Sequence, residues 1–177
     1  RGARTVAREV RELVKSLPAA RAETLTRTLF LQSSRSAQAL HSAANADIIE
    51  YQIRIAVLDP RTCLSCIALH GQELRPGERV NDHHNGRCTA LQKVRGIPRS
   101  VQPGPEWFAG LSEERRAQQR AFVMTPAKRR AYEAGAVRLA DFVQGYDDRV
   151  FGEMVREASL KGALGDGAQR FYVRGNE

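Results

Sequence analysis

Lysine is scarce in this chain. Only Lys15, Lys93, Lys128 and Lys161 stand among its 28 basic residues, so arginine carries the formal charge of +8 and the pI near 10.0. Long apolar runs are missing too, and nothing approaches the roughly 18 residues that a helical membrane span needs. Cysteine is limited to Cys63, Cys66 and Cys88, an odd number confined to 26 residues, which argues against a secreted disulfide framework. There is no glycine-rich phosphate loop, no serine nucleophile elbow and no paired-carboxylate motif, so the chain reads as a non-enzyme. No charged segment followed by an apolar one comes after Arg1, so no secretory signal is expected. The expectation is a soluble, intracellular chain, cut from a longer one because it opens on Arg rather than Met.

What is present fits one folded domain with an arm: 177 residues, 42% hydrophobic and 27% charged. The positive charge lies toward the front, where residues 1–46 hold eight Arg or Lys against Glu9, Glu12 and Glu23. Such a field draws polyanions, among them nucleic acid or an acidic protein face.

Val6, Val10, Leu13, Val14 and Leu17 predict an amphipathic helix over 5–17, stopped by Pro18. A longer helix is predicted over 21–46, with a soft apolar stripe of Leu25, Leu29, Ala37, Leu40 and Ala44. The period then falls to two: Ile49, Tyr51, Ile53, Ile55 and Val57 alternate with Glu50, Gln52, Arg54, Ala56 and Leu58, the pattern of a strand. Asp59 and Pro60 end it, Thr62 is placed to cap a short helical turn through Leu69, and Gly71 supplies a left-handed stop. Short strands are expected at 73–75 and 88–94, separated by a loop over 76–87 with almost nothing to bury.

A Pro and Gly cluster over 96–105 divides this β-containing middle from a helical end. There, Ser112 with Glu113 and Glu114, and Thr125 with Pro126, mark helix starts. Helical faces are read through Tyr132, Ala136, Leu139, Ala140 and Val143, and again through Val150, Phe151, Met154, Val155 and Ala158. Trp107 and Phe108 read as anchors of the helical end on the core. The fold expected is α+β: an N-terminal helical arm over 1–46, a small antiparallel sheet with a zinc-knuckle-like loop over 47–95, and a helical C-terminal part over 96–177.

The chemistry concentrates at Cys63-x2-Cys66 followed, after sixteen residues, by His83, His84 and Cys88. Two thiols at that spacing grip one ion from a tight turn, and a mixed thiolate and imidazole set suits tetrahedral Zn²⁺. The expected ligands are Cys63, Cys66, His83 and Cys88, with His84 as the substitute fourth ligand, and the zinc is expected to be structural. Two other readings remain at this point: buried free thiols beside loop histidines, or a dithiol redox pair. Asp82-His83-His84-Asn85 also admits a metal-dependent nuclease, although no His follows His84 to complete a further ligand set. His41 and His70 read as packing or capping residues. Arg115, Arg116, Arg120, Lys128, Arg129 and Arg130 form a candidate basic ridge for phosphates or a partner, diluted by Glu113, Glu114 and Glu133.

Ile55–Gly71 (IAVLDPRTCLSCIALHG) and His83–Leu91 (HHNGRCTAL) resemble the phage head morphogenesis family, the Mu F-like minor head proteins. The family pattern is a strand, Leu-Asp-x-Arg-Thr-Cys-x-x-Cys, a turn ending in Gly, a loop, and His-Pro-Asn-Cys-Arg-Cys leading into a strand. The present chain departs from it at His84, where the family has Pro, and at Gly86, where it has Cys. The resemblance carries over Asp59, Arg61, Thr62, Cys63, Cys66, His83, Asn85, Arg87 and Cys88, and implies that Asp59, Arg61 and Arg87 are fold-holding charges beside the knuckle. It further implies a minor virion protein associated with the portal protein and other head subunits. Such a protein would assist head morphogenesis, DNA packaging or DNA ejection, at the portal vertex of the virion head and in the host cytoplasm during assembly. Packaged double-stranded DNA is a further expected partner, and a sequence-independent DNA-binding module is the alternative function.

Overall fold

The computed structural model describes residues 12, 15 and 18–172. The helix expected over 5–17 lies outside the described residues apart from Glu12 and Lys15, which are helical and joined by a side-chain bond of 3.1 Å. Pro18, whose fixed φ suits a helix start, precedes the long helix α1 (Ala19–Ala44).

The face that α1 buries reverses the expected one. Thr28, Gln32, Arg35, Ala39 and Ser42 follow one another at three- and four-residue steps and form the buried stripe. Leu29 is 59% exposed, Phe30 74% and Leu40 73%. Most of the apolar stripe read from the sequence therefore faces outward, because the polar stripe opposite is what the loop beneath it can hydrogen-bond.

After α1 the chain enters β1 (Ile49–Ile55), the middle strand of a three-stranded antiparallel sheet completed by β2 (Glu73–Leu74) and β3 (Thr89–Val94). Ile53 sits opposite Leu91 on one side and Glu73 on the other. The alternation of β1 does not separate core from solvent: Ile49 and Ile53 are buried on one face, and Gln52, Arg54 and Ala56 on the other. The helix α2 (Leu64–Leu69) lies between β1 and β2 in sequence. Its stop is as expected, with Gly71 at φ +88°.

The C-terminal part begins with four short helices: α3 (Gly104–Ala109), α4 (Glu113–Ala117), α5 (Arg120–Met124) and α6 (Pro126–Glu133). Ser112 caps α4 by accepting from the Arg115 N–H. A 3-10 turn (Leu139–Phe142), the hairpin β4 (Val143–Asp148) with β5 (Gly152–Glu157), helix α7 (Leu160–Leu164) and a second 3-10 turn (Gly165–Phe171) follow. The hairpin replaces the helical face read through 150–158, and the face read through 132–143 is divided among the end of α6, a turn at Gly135, the 3-10 turn and the first residue of β4. Gly135 at φ +67° stops α6, while Asp148 Oδ1 accepts the Val150 and Phe151 N–H groups and Gly152 at φ +71° completes the reversal. The α+β class stands, with a second small antiparallel sheet inside the C-terminal part.

One apolar cluster joins Leu64 and Ile67 of α2 to Phe108, Phe122, Phe142 and Leu160. Phe108 is thus a core anchor, as its position after the Pro and Gly cluster suggested, with Trp107 packed against the same cluster. Ala56, Cys66, Leu74, Val80 and Cys88 form a second, smaller cluster under the loop. Helix α2 stands between them, Leu64 and Ile67 toward one and Cys66 toward the other. No helix among the described residues is long and apolar enough to cross a membrane.

Candidate metal centre

The turn after β1 is tied by Asp59, whose Oδ1 accepts from the Arg61 N–H at 3.0 Å and the Thr62 hydroxyl at 2.9 Å. Thr62 Oγ1 in turn accepts the Asp59 N–H at 3.1 Å, so Thr62 closes this turn instead of capping α2. The cap position is Cys63, and the free Leu64 N–H donates to Glu157 Oε2 at 2.7 Å. Glu157 also takes the Lys128 ammonium, so β5 and α6 together pin the start of the cysteine-bearing helix. Sequence reasoning missed Glu157, which lies 93 residues from its partner.

The loop delivers His83 to the two thiols. Its Nε2 lies 3.3 Å from Cys63 Sγ and 3.4 Å from Cys66 Sγ, and its Nδ1–H faces the His84 carbonyl at 2.8 Å. A ring N–H committed to a carbonyl is the usual device that leaves the other nitrogen's lone pair for a metal. The ligand atoms of Cys63, Cys66 and His83 all lie within 4.8 Å of one another, and this group is close enough to hold a metal ion. Cys88 falls in an adjoining group with Cys66 and Asp82, sharing the Cys66 sulfur. His84 is turned elsewhere, with Nε2 3.2 Å from Asp148 Oδ2 and its ring edge-on to Phe151.

The donor set fits a thiophilic cation such as Zn²⁺. Tetrahedral coordination sets sulfur and imidazole nitrogen about 3.5 Å apart, close to the separations found here. In the metal-free protein, the hydrogen bond with Cys66 draws the Cys63 thiol down to about 4, with His83 adding to the effect. Donation to Cys63 and Cys88, together with burial, keeps Cys66 protonated. Burial opposes the charge on His83, but its bond to Cys63 and the nearby Asp82 prevail and raise it to about 9. A thiolate and an imidazolium therefore face each other, and metal entry must release the protons of His83 and Cys66.

Beneath the centre is a polar hub that the sequence pattern concealed. Asp82, with 0% exposure, accepts from Arg35 Nη2 at 2.9 Å and from the His83 and Cys88 N–H groups at 2.9 and 3.0 Å. Arg54 Nη2 stands 3.5 Å away. Burial pushes the Asp82 carboxyl up, but His83, Arg54 and Arg35 hold it below the ordinary carboxylate range. The two guanidiniums also clasp the loop backbone: Arg35 donates to the carbonyls of Gly86 and Cys88, and Arg54 to that of Asn81. At Gly86 an added Cβ would lie 2.2 Å from the Asp82 carboxylate. The available signals were indirect: an arginine on the inner face of a central strand, and a lone arginine on a polar helix stripe.

On the rim, Asp59 pairs with Arg87 through two 2.7 Å bonds, while Arg61 stands at 3.4 Å. Asn85, at φ +57°, fastens the loop to α1 by donating its N–H to Thr28 Oγ1 and its side-chain amide to Thr24 Oγ1. His70 accepts the Ala56 N–H on Nδ1, a packing role, and His41 meets Gln92 at the surface. The basic ridge is dispersed. Lys128 is buried on Glu157, Arg129 pairs with Glu133 and Arg130 donates to the Phe171 carbonyl. Arg115 and Arg116 lie on α4, and of the ridge Arg120 and Lys128 line the clefts that contain Cys63 and His83.

The family model described as Phage Mu protein F like protein matches residues 1–91, more than half of the chain. Comparison with curated proteins and with solved structures gives no match.

Proposed function

We propose a function from one premise: the chain belongs to the Phage Mu protein F like family, a family of phage head morphogenesis proteins. Within it, this chain is a minor structural protein of the virion head that docks at the portal vertex and assists head assembly, DNA packaging or DNA ejection. It works in the host cytoplasm during assembly and stays with the head. It is not an enzyme.

The observation that carries this reading is the outward apolar stripe of α1. A helix whose polar face is locked to the loop, and whose Leu29, Phe30 and Leu40 are exposed, is built to present an apolar face to another subunit. Deleting 1–46 would take Arg35 from Asp82 and damage the fold, so surface substitutions test the idea. Phe30→Asp with Leu40→Asp, in the full chain, is expected to abolish copurification with the portal protein; unchanged capture would contradict portal docking through α1.

The centre is assigned as a structural zinc site with Cys63, Cys66, His83 and Cys88 as ligands. What supports this is the convergence of three donors, with Cys88, the third thiol, beside Cys66, around a loop whose only buried aliphatic side chain is Val80. Those ligand side chains would hold the ion and, through it, tie the loop to the start of α2. His84 is held by Asp148, which makes it the weaker candidate for a ligand. Asp59, Arg61, Thr62, Asn85 and Arg87 hold the turn and loop around the centre. A nuclease would need Asp82 open to water, whereas its carboxylate is enclosed by Arg35, Arg54 and two backbone amides.

A further inference from the structure

We propose that the groove over the Cys/His centre, rimmed by Arg27, Arg61, Arg87 and Arg120, seats the phosphodiester backbone of double-stranded DNA. The inference rests on the chain's being a head protein that meets packaged genome. The groove encloses about 470 Å³, and its floor includes Cys63, Cys66, His83 and Asn85. A second cleft of about 280 Å³ shares Arg61, Cys63, His83 and Arg120 with it and leads on toward Lys128, so the two form one continuous track.

The four guanidiniums come from separate elements. Arg27 projects from α1, Arg61 from the turn after β1, Arg87 from the loop and Arg120 from the start of α5. The last is brought beside the turn by its own N–H, which donates to the Pro60 carbonyl at 2.8 Å. Their counter-charges are few. Asp59 serves both Arg87 and Arg61, Glu23 serves Arg27, and Glu157 in the second cleft is taken by Lys128. Arg120 has no carboxylate within ion-pair distance among the described residues. The track thus keeps a positive excess, and guanidinium forks match phosphate oxygens two at a time.

Three features select the duplex backbone. The lining offers no phenyl, phenol or indole ring, and its two imidazoles are engaged, His83 with Cys63 and Cys66 and His84 with Asp148, so it lacks the free aromatic platforms on which single-stranded bases stack. Its apolar surface is Ala56 and Val57 in the larger groove and Ala121 and Met124 in the second cleft, small or exposed side chains that do not form the buried aromatic anchor typical of a protein partner. A duplex presents one charge per roughly 1.7 Å of axis, a dense linear array that a track with charges on both sides can hold without reading a base.

The test uses the full chain and a labelled duplex of about 25 base pairs in two unrelated sequences, with affinity followed over a salt series by anisotropy. The groove variant is Arg61→Gln with Arg120→Gln; the control is Arg115→Gln with Arg116→Gln, outside the track. Wild type and control are expected to bind both duplexes alike. The groove variant should bind roughly tenfold or more weakly near 0.1 M salt, with the slope of log K against log salt reduced by about 2, since each lost phosphate contact removes about 0.9. Equal binding by the groove variant, an equal loss in the control, tighter binding of single strands, or displacement of duplex by polyglutamate at matched charge would each overturn the proposal. Portal capture is measured on the same proteins. Capture retained while DNA binding ignores the groove variant refutes the groove alone; capture absent in wild type refutes the head reading separately.

Discussion

Replacing Asp82 by Asn removes one charge from a place water does not reach. The carboxylate is fully buried, with Arg35 at 2.9 Å and Arg54 at 3.5 Å, and both guanidiniums are equally enclosed. The side chain keeps its shape, so the loss is chiefly electrostatic: two buried cations are left facing one amide oxygen and one amide nitrogen. Breaking a buried pair in this way costs about 3 to 5 kcal/mol, because the remaining charge keeps its desolvation penalty without its partner. Against a total stability of about 5 to 15 kcal/mol, that is enough to leave a marginal protein. Urea denaturation of wild type, Asp82→Asn, Arg35→Met and the double variant measures it. The double variant should be less destabilised than the sum of the singles by about 2 kcal/mol or more, since Arg35 and Asp82 share one interaction. A cost for Asp82→Asn below about 1 kcal/mol, the range of an exposed ion pair, would refute the buried-hub account.

Gly86→Ala should be destabilising by about 1 to 3 kcal/mol in the same assay, because its Cβ would meet the Asp82 carboxylate 2.2 Å away and force it from Arg35; a neutral result would mean that the loop does not hold that carboxylate. Asp59→Asn should cost about 1 kcal/mol at pH 7. Arg87 depresses the folded-state carboxyl of Asp59, so the pair's stability is present above the unfolded value of about 4 and is lost as pH falls further. The gap between wild type and Asp59→Asn should therefore narrow steadily below about pH 4, and a gap that widens there would contradict the pair.

The parts of this fold that were legible in the sequence are those set by near neighbours. Cys63 and Cys66 are one helical turn apart, Gly71 ends that helix with a positive φ, and the polar loop ahead of Cys88 could be read as a segment in want of a clamp. Misreading began where burial and polarity part company. Thr28, Gln32 and Arg35 on α1, and Gln52 and Arg54 on β1, look like solvent faces, yet all five are buried: Arg35 and Arg54 close on Asp82 across 47 and 28 residues of chain, Thr28 holds Asn85, and Gln52 donates to the Arg75 and Glu78 carbonyls. Only the three-dimensional pairing makes the burial of the two arginines tolerable. The hairpin was hidden for a different reason: Val150, Phe151, Met154 and Val155 satisfy a helical spacing and a strand composition alike, and the turn formed by Asp148 and Gly152 decides between them.

Bound metal, measured by elemental analysis on the purified full chain beside Cys63→Ser and Cys88→Ser, tests the central claim most directly. The account predicts one zinc per chain, lost together with cooperative unfolding in the variants, as expected when the ion's binding energy is folding energy. Metal-free protein that still unfolds cooperatively would contradict it, and would leave Cys63, Cys66 and His83 as a thiolate and imidazolium cluster held by the Asp82 hub alone.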